Sequence, residues 1–299
     1  MVYFGGRRPL SASPNTKIRN ILKLMIKEDK RVVILTGKKD ARVRGIVVCG
    51  DICRLLYLKN KYRMPTNGFD YYTEFYERPI STIMTHSFIK AHYDLPLFRG
   101  LHVMQERNIG TLPLIDRDGG LKGNITERDI AFLLAETNRD IKVRDLMSYN
   151  VTTCSPHYTI QDALNITCES GFRRLPVVKK DELVGYLTVK DLLSHFSREK
   201  IIKLIKNGKI DVVFDERITA IMITSIITIH PDASITEFAQ TLKKHNFGAL
   251  PVVEDEKLVG IITERDIVNV ISIYNEKIKY PKTVQSFQKS PKGEWRKNF

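Results

Sequence analysis

Four short segments of the chain repeat one order of apolar and polar residues. Each begins with glycine, has at least one apolar residue in the next two positions and an aspartate six positions after the glycine, and then runs into a further apolar stretch. A strand that ends in a polar turn and opens a helix has this order. The segments are 45–51, 123–129, 185–191 and 260–266. Four copies at long spacing predict four repeats of one supersecondary unit.

Apolar residues before each segment predict the other elements of the unit. In the first repeat, the apolar residues between 18 and 25 have helical spacing, and 31–35 has the composition of a buried strand. Each repeat is therefore predicted to run strand, helix, strand, strand, helix, and this order indicates an α+β fold. The predicted repeats span about 9–56, 80–136, 143–196 and 218–273.

The spacing of the repeats predicts how they pair. The join between the second and third repeats is short, whereas longer linkers separate the first from the second and the third from the fourth. We therefore expect two modules of two repeats each, with an approximate two-fold axis inside each module. The predicted domains are module one, module two and a basic C-terminal tail with little regular secondary structure: 1–138, 139–274 and 275–299.

Both long linkers contain apolar side chains of their own. Packing is the expected role of the first group, because aromatic rings bury large apolar areas. Residues 201–205 in the second linker form an amphipathic patch that predicts a helix. The aromatic residues of the first linker are Tyr71, Tyr72, Phe75 and Tyr76.

Composition indicates in which cellular environment the protein is expected to work. No apolar run approaches the roughly 20 residues of a membrane span, and the N-terminus lacks the apolar stretch of a secretory leader. The four cysteines have no zinc-type spacing, so we expect them to be buried free thiols. A reducing cytoplasm is the expected location.

The net charge of +14 is concentrated at the two ends of the chain. Residues 1–79 have 17 basic and 7 acidic side chains, and residues 275–299 have 7 and 2, so the last three repeats are close to neutral. A nucleic-acid platform is expected to show a basic stripe across its binding face. The uneven charge distribution therefore disfavours nucleic acid as a partner but does not exclude it.

Three of the four segments contain Thr-x-x-Asp, and two roles are open for this pattern. The threonine hydroxyl can accept from an early helix amide while the aspartate reaches back to the threonine amide, which makes a capping box. The same helix start offers free amides and a positive dipole end to an anion, and the carboxylate can take two hydroxyls of a ribose. In the first repeat Val48 replaces the threonine.

No residue set typical of an enzyme is found. A nucleophile paired with a base and a Walker-type loop are both absent from the sequence, and none of the seven histidines has a cysteine or histidine partner at metal-ligand spacing. We therefore expect a protein that is not an enzyme and holds no metal.

These patterns resemble the CBS domain, the tandem repeat named after cystathionine β-synthase. The matches are Leu-Pro-Val-Val at 175–178 and 250–253, Leu-Pro-Leu-Ile at 112–115, and the Gly-x-x-Thr-x-x-Asp segments. Repeat 1 is divergent. The resemblance implies that two repeats form one module, that two modules can form a disk as in the γ subunit of AMP-activated protein kinase, and that adenosine ligands bind in clefts between paired repeats.

The resemblance also implies site residues, and the fullest set lies in the second module. Asp266 would take the ribose hydroxyls and Thr263 would support the ribose or phosphate. Repeat 3 would supply Thr152, Arg173 and Arg174 to the same cleft. The two arginines are the sharpest phosphate candidates, because a guanidinium pairs bidentately with phosphate oxygens; a solvated strand end is their alternative.

Three further clefts follow from the same correspondence. The cleft of Asp51 is the least certain ligand site, because Val48 replaces the threonine. Arg128 and Arg265 have two open roles, phosphate binding or simple exposure to solvent, because an arginine in a first helical turn is often merely exposed. The second cleft of module two comprises Thr188, Asp191, Ile227, Gly248, Ala249 and Arg217. The clefts of module one comprise Thr126, Asp129, Arg31 and Val32, and Asp51, Ile89, Gly110 and Thr111.

The leading hypothesis is a cytoplasmic regulatory protein that senses energy or nucleotide state. It would bind AMP, with ADP and ATP as further ligands and S-adenosylmethionine less favoured, and would modulate an unidentified protein partner through a shift in module packing. Two alternatives stay open: a nucleic-acid-associated protein that uses its basic ends, and a structural pseudo-dimer whose Thr-x-x-Asp boxes only cap helices. A homodimer is also left open.

Overall fold

A computed structural model describes residues 9–61, 71–134 and 141–273. The predicted tail lies outside the described residues. Within them, the predicted α+β fold is confirmed, and the middle strand of repeat 1 begins at Val32, one residue later than expected. None of the described helices combines the length and apolarity needed to cross a bilayer.

Each repeat contains an antiparallel hairpin of a middle strand and a return strand. A short leading strand runs parallel to the middle strand in repeats 1 and 2, and single parallel bridges take its place in repeats 3 and 4. Every hairpin has one register irregularity. The strands are β1 Ser11–Ala12, β2 Val32–Thr36, β3 Val43–Val48, β4 Ala91–His92, β5 Thr111–Ile115, β6 Leu121–Thr126, β7 Arg174–Lys179, β8 Glu182–Thr188, β9 Ala249–Glu254 and β10 Lys257–Thr263.

Two helices flank the hairpin of each repeat, one before the middle strand and one after the return strand. Two more follow repeat 3, where the amphipathic patch predicted a helix. The helices are α1 Ile18–Lys27, α2 Cys49–Lys61, α3 Leu97–Glu106, α4 Glu127–Leu134, α5 Ile160–Ser170, α6 Val189–Ser197, α7 Glu199–Lys206, α8 Ile210–Phe214, α9 Ile235–His245 and α10 Glu264–Ile273. Short 3-10 turns occur at Ile80–Thr82, Val143–Asp145 and Ile218–Ala220, and a π-helical turn at Thr73–Glu77.

The first helix of every repeat is followed by a residue in the left-handed conformation, which is the C-cap itself or the next residue. Asn and Gly are the residues that adopt this conformation at least cost, and they occupy three of the four positions. The carbonyls of the last turn are thereby satisfied before the chain enters the middle strand. The residues and their φ angles are Asp29 (51°), Asn108 (50°), Gly171 (75°) and Asn246 (56°).

The described chain forms two compact units, each built from segments distant in sequence. One contains residues 9–88 and 152–226, which hold repeats 1 and 3; we call it the 1–3 unit. The other contains residues 89–151 and 227–273, which hold repeats 2 and 4; we call it the 2–4 unit. The sequence predicted two modules that meet at residue 138, with repeats 1 and 2 in one and repeats 3 and 4 in the other. Each predicted module has one repeat in each compact unit, so the pairing of repeats within a module stays a prediction.

Each unit has its own apolar core. In the 1–3 unit, the rings of Phe75 and Tyr76 are fully buried and the Tyr76 hydroxyl donates to the Phe196 carbonyl at 2.7 Å. The expected packing role of the aromatic linker is therefore confirmed. Ile201 and Ile205 of α7 also enter this core, so the second linker contributes to packing as well.

The segments that lead repeats 2, 3 and 4 each pack on the hairpin of another repeat. Thr85, which leads repeat 2, bridges Ile46 of repeat 1, and Ile223, which leads repeat 4, bridges Tyr186 of repeat 3. In the 2–4 unit, Ser148 leads repeat 3 and bridges Ile261 of repeat 4. Repeats 3 and 4 thus exchange their leading segments.

A glycine in the return strand makes room for this exchange. A Cβ added at Gly260 would lie 2.7 Å from Met147 Sδ, and one at Gly185 would lie 2.5 Å from Met222 Sδ. Both methionines belong to leading segments. The close approach explains the glycine that begins the repeated pattern, because any side chain there would displace the methionine.

All four cysteines are free thiols. Cys49, Cys53 and Cys154 are buried, and Cys168 is half-buried. Burial raises the pKa of the Cys49 thiol to about 12 and that of Cys168 to about 11. The expected buried free thiols are therefore confirmed for Cys49, Cys53 and Cys154, whereas Cys168 is free but only half-buried.

Candidate functional site

The Thr-x-x-Asp pattern forms a hydrogen-bonded box at the start of a helix. Asp266 Oδ2 accepts from the Thr263 amide at 2.7 Å and from the Thr263 hydroxyl at 2.8 Å. The pairs Thr188–Asp191 and Thr126–Asp129 have the same geometry. In repeat 1, Asp51 accepts only from the Val48 amide within its box, at 2.8 Å.

A fifth box shows that this geometry alone does not identify a ligand site. Thr159 and Asp162 form it at the start of α5, with the Asp162 carboxylate accepting from the Thr159 amide at 2.8 Å and from its hydroxyl at 2.9 Å. This helix follows a leading segment and not a return strand. The pattern was readable in the sequence and was missed there. It gives an internal comparison for a box that only caps a helix.

Burial sets the electrostatics of two of the aspartates. It raises the pKa of Asp191, while the Thr188 hydroxyl, the nearby amides and Lys190 act in the opposite direction. Burial also raises the pKa of Asp51, against the Val48 amide and Arg54. A partly desolvated carboxylate gains from additional donors, and the two hydroxyls of a ribose would be such donors.

The residue before each middle strand lies beside the helix start of its own repeat. The Val189 amide donates to the Arg173 carbonyl at 3.1 Å, and the Cys49 amide donates to the Arg31 carbonyl at 3.0 Å. Arg174 lies opposite Thr188 in the β7–β8 register. The two phosphate candidates of repeat 3 are therefore adjacent to the Thr188 box of the same repeat.

The four predicted clefts each draw residues from both units. In every cleft the aspartate belongs to one unit and the partner residues implied by the resemblance belong to the other, except Arg217, which lies in the same unit as Asp191. The clefts therefore stay predictions. Asp51 and Asp191 lie in the 1–3 unit, and their predicted partner residues in the 2–4 unit are Ile89, Gly110, Thr111, Ile227, Gly248 and Ala249. Asp129 and Asp266 lie in the 2–4 unit, and their predicted partner residues in the 1–3 unit are Arg31, Val32, Thr152, Arg173 and Arg174.

The partner residues differ in how much of them is accessible. Thr111, Gly248 and Ala249 are buried, and Arg173 and Arg217 are exposed. Arg217 donates through Nη1 to the His157 carbonyl, which places its guanidinium at the start of the first helix of repeat 3. The remaining partner residues are partly buried: Arg31, Val32, Ile89, Gly110, Thr152, Arg174 and Ile227.

Repeats 2 and 4 are joined by two reciprocal ion pairs. Arg128 Nε lies 2.6 Å from Glu264 Oε1, and Arg265 Nε is paired with Glu127. The Glu127 and Glu264 side chains are 7% and 3% exposed. Asn246 also accepts from Arg128, at 2.8 Å. The arginines that the sequence left ambiguous are therefore bound to carboxylates of the chain itself.

The sequence did not predict these pairs, although it contains their signal. Repeats 2 and 4 both have Glu-Arg between the threonine and the aspartate, whereas repeat 1 has Cys49-Gly50 and repeat 3 has Val189-Lys190. Two copies of Glu-Arg that face each other about a two-fold axis form two ion pairs. In the 1–3 unit, Lys190 pairs with Asp29 at the end of α1.

One group of side chains in the described residues could hold a metal ion. His230, Asp232 and Glu254 lie together on an exposed part of the 2–4 unit. Arg144 is already there, with Nη2 2.7 Å from Asp232 Oδ1 and 3.6 Å from Glu254 Oε1. A guanidinium between the carboxylates supplies the positive charge that a cation would supply.

Comparisons with known proteins agree with the repeat pattern. The CBS domain family matches the chain four times, at residues 6–58, 80–136, 143–198 and 218–273. MJ1225 of Methanocaldococcus jannaschii is 25% identical over 265 residues, which cover 88% of this chain and 95% of that protein. The crystal structure of MJ1225 is described as that of a candidate archaeal homologue of γ-AMPK. It superposes on 89% of this chain and 97% of the MJ1225 chain, with 24% identity and a TM-score of 0.80. The two proteins therefore have the same fold.

Two further relatives match over shorter stretches. A 33.4 kDa protein in the ribosomal RNA operon of Thermofilum pendens is 34% identical over 168 residues, 56% of this chain and 56% of that protein. The A-adding tRNA nucleotidyltransferase of Aquifex aeolicus is 32% identical over 139 residues, which cover 46% of this chain. These residues are 15% of the nucleotidyltransferase, so the match carries over no catalytic activity.

Proposed function

Because the chain belongs to the CBS-domain family, we propose that it is a regulatory protein that binds an adenosine ligand, with AMP as the first candidate. The observation that supports this most is the set of three complete Thr-x-x-Asp boxes, each at the junction of a return strand and its following helix. A carboxylate at that junction lies beside free helix amides, which suits a ribose followed by a phosphate.

The second predicted module is the first place to look for the ligand. Both of its boxes are complete, whereas repeat 1 has Val48 in place of the threonine. In the cleft that we propose, Asp266 takes the ribose hydroxyls, Thr263 lies at the helix start, and Arg173 and Arg174 bind the phosphate. ADP and ATP extend the same chemistry by further phosphates. S-adenosylmethionine lacks the phosphate that the arginines would bind and is the weaker candidate.

Regulation would follow from a difference in affinity between two packing states of the protein. A ligand that prefers one state shifts the population towards it by that difference. A partner protein that reads the state would then respond to the concentration of the nucleotide, as an energy or nucleotide sensor does. We place this function in the cytoplasm and assign the chain no catalytic step.

The test is isothermal titration calorimetry of the full chain against AMP, ADP, ATP and S-adenosylmethionine, with mass spectrometry of any nucleotide that copurifies. We expect saturable binding of at least AMP. The alternative, nucleic-acid binding through the basic ends, predicts affinity for RNA or DNA that falls steeply with salt. Strong salt-dependent RNA binding without any nucleotide binding would replace our proposal.

A further inference from the structure

The hairpin turn of repeat 1 is longer than the turns of repeats 3 and 4. It occupies residues 37–42, between β2 and β3. In repeats 3 and 4 the same connection takes two residues, 180–181 and 255–256. Since two-residue loops connect antiparallel strands readily, the hairpin itself does not need the additional residues of repeat 1.

Asp40 holds this longer turn in one conformation. Its Oδ1 accepts from the Arg42 amide at 3.1 Å, and its Oδ2 accepts from Arg44 Nη2 at 2.6 Å. The Gly37 amide donates to the Arg42 carbonyl at 3.0 Å and closes the turn. A Cβ at position 37 would clash with the Asp40 carboxylate, which explains the glycine there. The turn is therefore ordered by one of its own side chains.

The ordered turn presents basic side chains to solvent. Lys38, Lys39 and Arg42 are exposed, and within the part of the chain that the structure describes none of the three has an ion-pair partner. Arg44 is exposed as well and pairs with Asp40. The carboxylate that orders the turn thus neutralises Arg44 and leaves the other three cations available.

The other three hairpin turns have a different charge. The turn of repeat 2, at 116–120, has two aspartates and one arginine, and the turn of repeat 4, at 255–256, is Asp-Glu. The turn of repeat 3, at 180–181, is Lys-Asp. The basic turn is therefore a property of repeat 1 and not of the repeated unit.

The compact unit that contains this turn is basic too. The described residues of the 1–3 unit include 25 basic and 15 acidic side chains, whereas those of the 2–4 unit include 12 and 14. The fold thus gathers the described part of the excess positive charge in one unit. A body with this net charge attracts a polyanion and raises its local concentration.

The turn has the chemistry of a phosphate contact and lacks that of a protein interface. Hot spots between proteins lie in well-packed, desolvated pockets, and the 37–42 turn has no apolar side chain larger than Ala41. Single-stranded nucleic acid is held by base stacking on aromatic rings, and this turn has no aromatic residue. Cations alone suit the phosphates of a duplex, where the contact is electrostatic and independent of base sequence.

The arrangement of the cations favours duplex DNA. Lys38 and Lys39 follow β2, and Arg42 and Arg44 stand where β3 begins, so cations flank both arms of the turn. Paired strands lie about 5 Å apart, and the major groove of B-DNA, about 12 Å wide, admits a two-stranded ribbon. Phosphates line both edges of that groove. The major groove of an RNA duplex is too narrow for such an entry.

The turn is distant from the predicted adenosine cleft of its own repeat. The Cys49 amide, at the start of α2, donates to the Arg31 carbonyl at the other end of β2. From Arg31 to Gly37 an extended strand spans roughly 20 Å. A ligand at the helix start and a duplex at the turn therefore use different side chains.

We propose that the 37–42 turn of repeat 1 binds the phosphates of double-stranded DNA without reading the base sequence. The phosphate contacts come from Lys38, Lys39 and Arg42. Asp40 positions these cations and does not contact the DNA. This inference goes beyond the proposed function, because it assigns a second class of ligand to a different place in the fold.

The test is fluorescence anisotropy of a short labelled DNA duplex titrated with the full chain at a series of salt concentrations. Lys38→Gln/Lys39→Gln should weaken binding about 10-fold or more and lower the slope of log affinity against log salt by about 2, because each phosphate contact contributes about 0.9 to that slope. The matched control is Lys179→Gln/Lys180→Gln, since repeat 3 has the same exposed Lys-Lys-Asp triplet at its own turn. This control should change both quantities far less.

Asp40→Ala distinguishes an ordered turn from diffuse charge. The substitution removes a negative charge, so diffuse charge predicts tighter DNA binding. Our proposal predicts weaker binding, because the Arg42 amide and the Arg44 guanidinium lose the acceptor that orders the turn. Tighter or unchanged binding in Asp40→Ala would overturn the proposal.

Two further results would overturn it. Equal losses in the two lysine double variants would show attraction to the unit as a whole. Tighter binding to an RNA duplex of the same sequence, to poly-glutamate or to vesicles containing phosphatidylserine would assign the turn to another kind of partner. AMP titrations of the same variants keep this site apart from the proposed function. DNA binding through the turn in a chain that binds no adenosine ligand would leave this site standing and remove the proposed function.

Discussion

Arg128 and Glu264 form an ion pair of 2.6 Å that joins the second and fourth repeats at the starts of their last helices. Arg265 and Glu127 repeat it in the opposite sense. The relationship requires the same two residue types at the same positions of both repeats. Repeats 1 and 3 lack this Glu-Arg pair. The corresponding helix starts of the 1–3 unit therefore cannot form these ion pairs.

Breaking one of these pairs should destabilise the 2–4 unit. Glu264→Gln leaves the Arg128 guanidinium, whose side chain is 17% exposed, without its carboxylate. Removing one partner of a buried pair typically costs about 3–5 kcal/mol, and the partial exposure of Arg128 lowers our expectation to about 2–4 kcal/mol. Urea unfolding monitored by circular dichroism measures the loss.

The control for this experiment is an exposed ion pair, again between a basic side chain and a glutamate. Lys23 and Glu199 are 3.3 Å apart, with side chains 56% and 78% exposed. Glu199→Gln should change the unfolding free energy by less than about 1 kcal/mol. Equal effects of the two substitutions would show that the Arg128–Glu264 pair is not special to the fold.

Substitution of the return-strand glycine should disturb the exchange of leading segments. In Gly260→Ala the new Cβ would lie 2.7 Å from Met147 Sδ and 3.1 Å from the Ser148 carbonyl oxygen. Overpacking of this kind costs about 1–3 kcal/mol, which thermal unfolding would detect. Gly50→Ala is the control, because its nearest contact would be Val48 Cγ2 at 3.8 Å. This helical position should gain up to about 1 kcal/mol. An unchanged unfolding temperature in Gly260→Ala would mean that Met147 and Ser148 do not pack against Gly260 as described.

The sequence predicted the elements of each repeat better than their arrangement. Apolar periodicity located the strands and helices, because burial of one face leaves a direct trace in the residue order. Periodicity does not indicate which hairpin a short leading segment joins. Ser148 lies at the start of repeat 3 but pairs with Ile261 of repeat 4, and only the tertiary structure shows this exchange.

The candidate site was predicted in part for a similar reason. The Thr-x-x-Asp boxes are local, so their hydrogen bonds follow from spacing alone. The role of Arg128 depends on a glutamate 136 positions away, so it could not be read from one repeat. The predicted clefts draw on both units, and binding experiments are needed to test them.

A buried histidine should make stability depend on pH. His195 is 1% exposed, and burial, with a smaller contribution from Arg198, lowers its pKa from 6.5 to about 4. The unfolded chain therefore binds a proton between pH 6.5 and 4 that the folded chain does not. Stability contributed by neutral His195 is fully present above pH 6.5 and is lost as the pH falls towards 4, by about 1–3 kcal/mol.

Urea unfolding at a series of pH values checks this dependence. His195→Leu should flatten the slope between pH 6.5 and 4, because it removes the group that titrates differently in the two states. Glu216 Oε2, 3.3 Å from His195 Nε2, favours the charged ring, so Glu216→Gln should steepen the slope. Identical slopes in wild type and His195→Leu would contradict the assignment.

The central claim is that the boxes after the return strands bind a ribose, and titration of AMP into Asp266→Ala and Asp162→Ala tests it most directly. Both variants lose a cap and should lose about 1 kcal/mol of stability. A charge-assisted hydrogen bond is worth about 1.5–3 kcal/mol, so Asp266→Ala should weaken AMP binding by roughly 10- to 100-fold. Asp162→Ala should bind AMP as wild type does. Unchanged AMP affinity in Asp266→Ala, with the same stability loss as in Asp162→Ala, would show that this box only caps its helix.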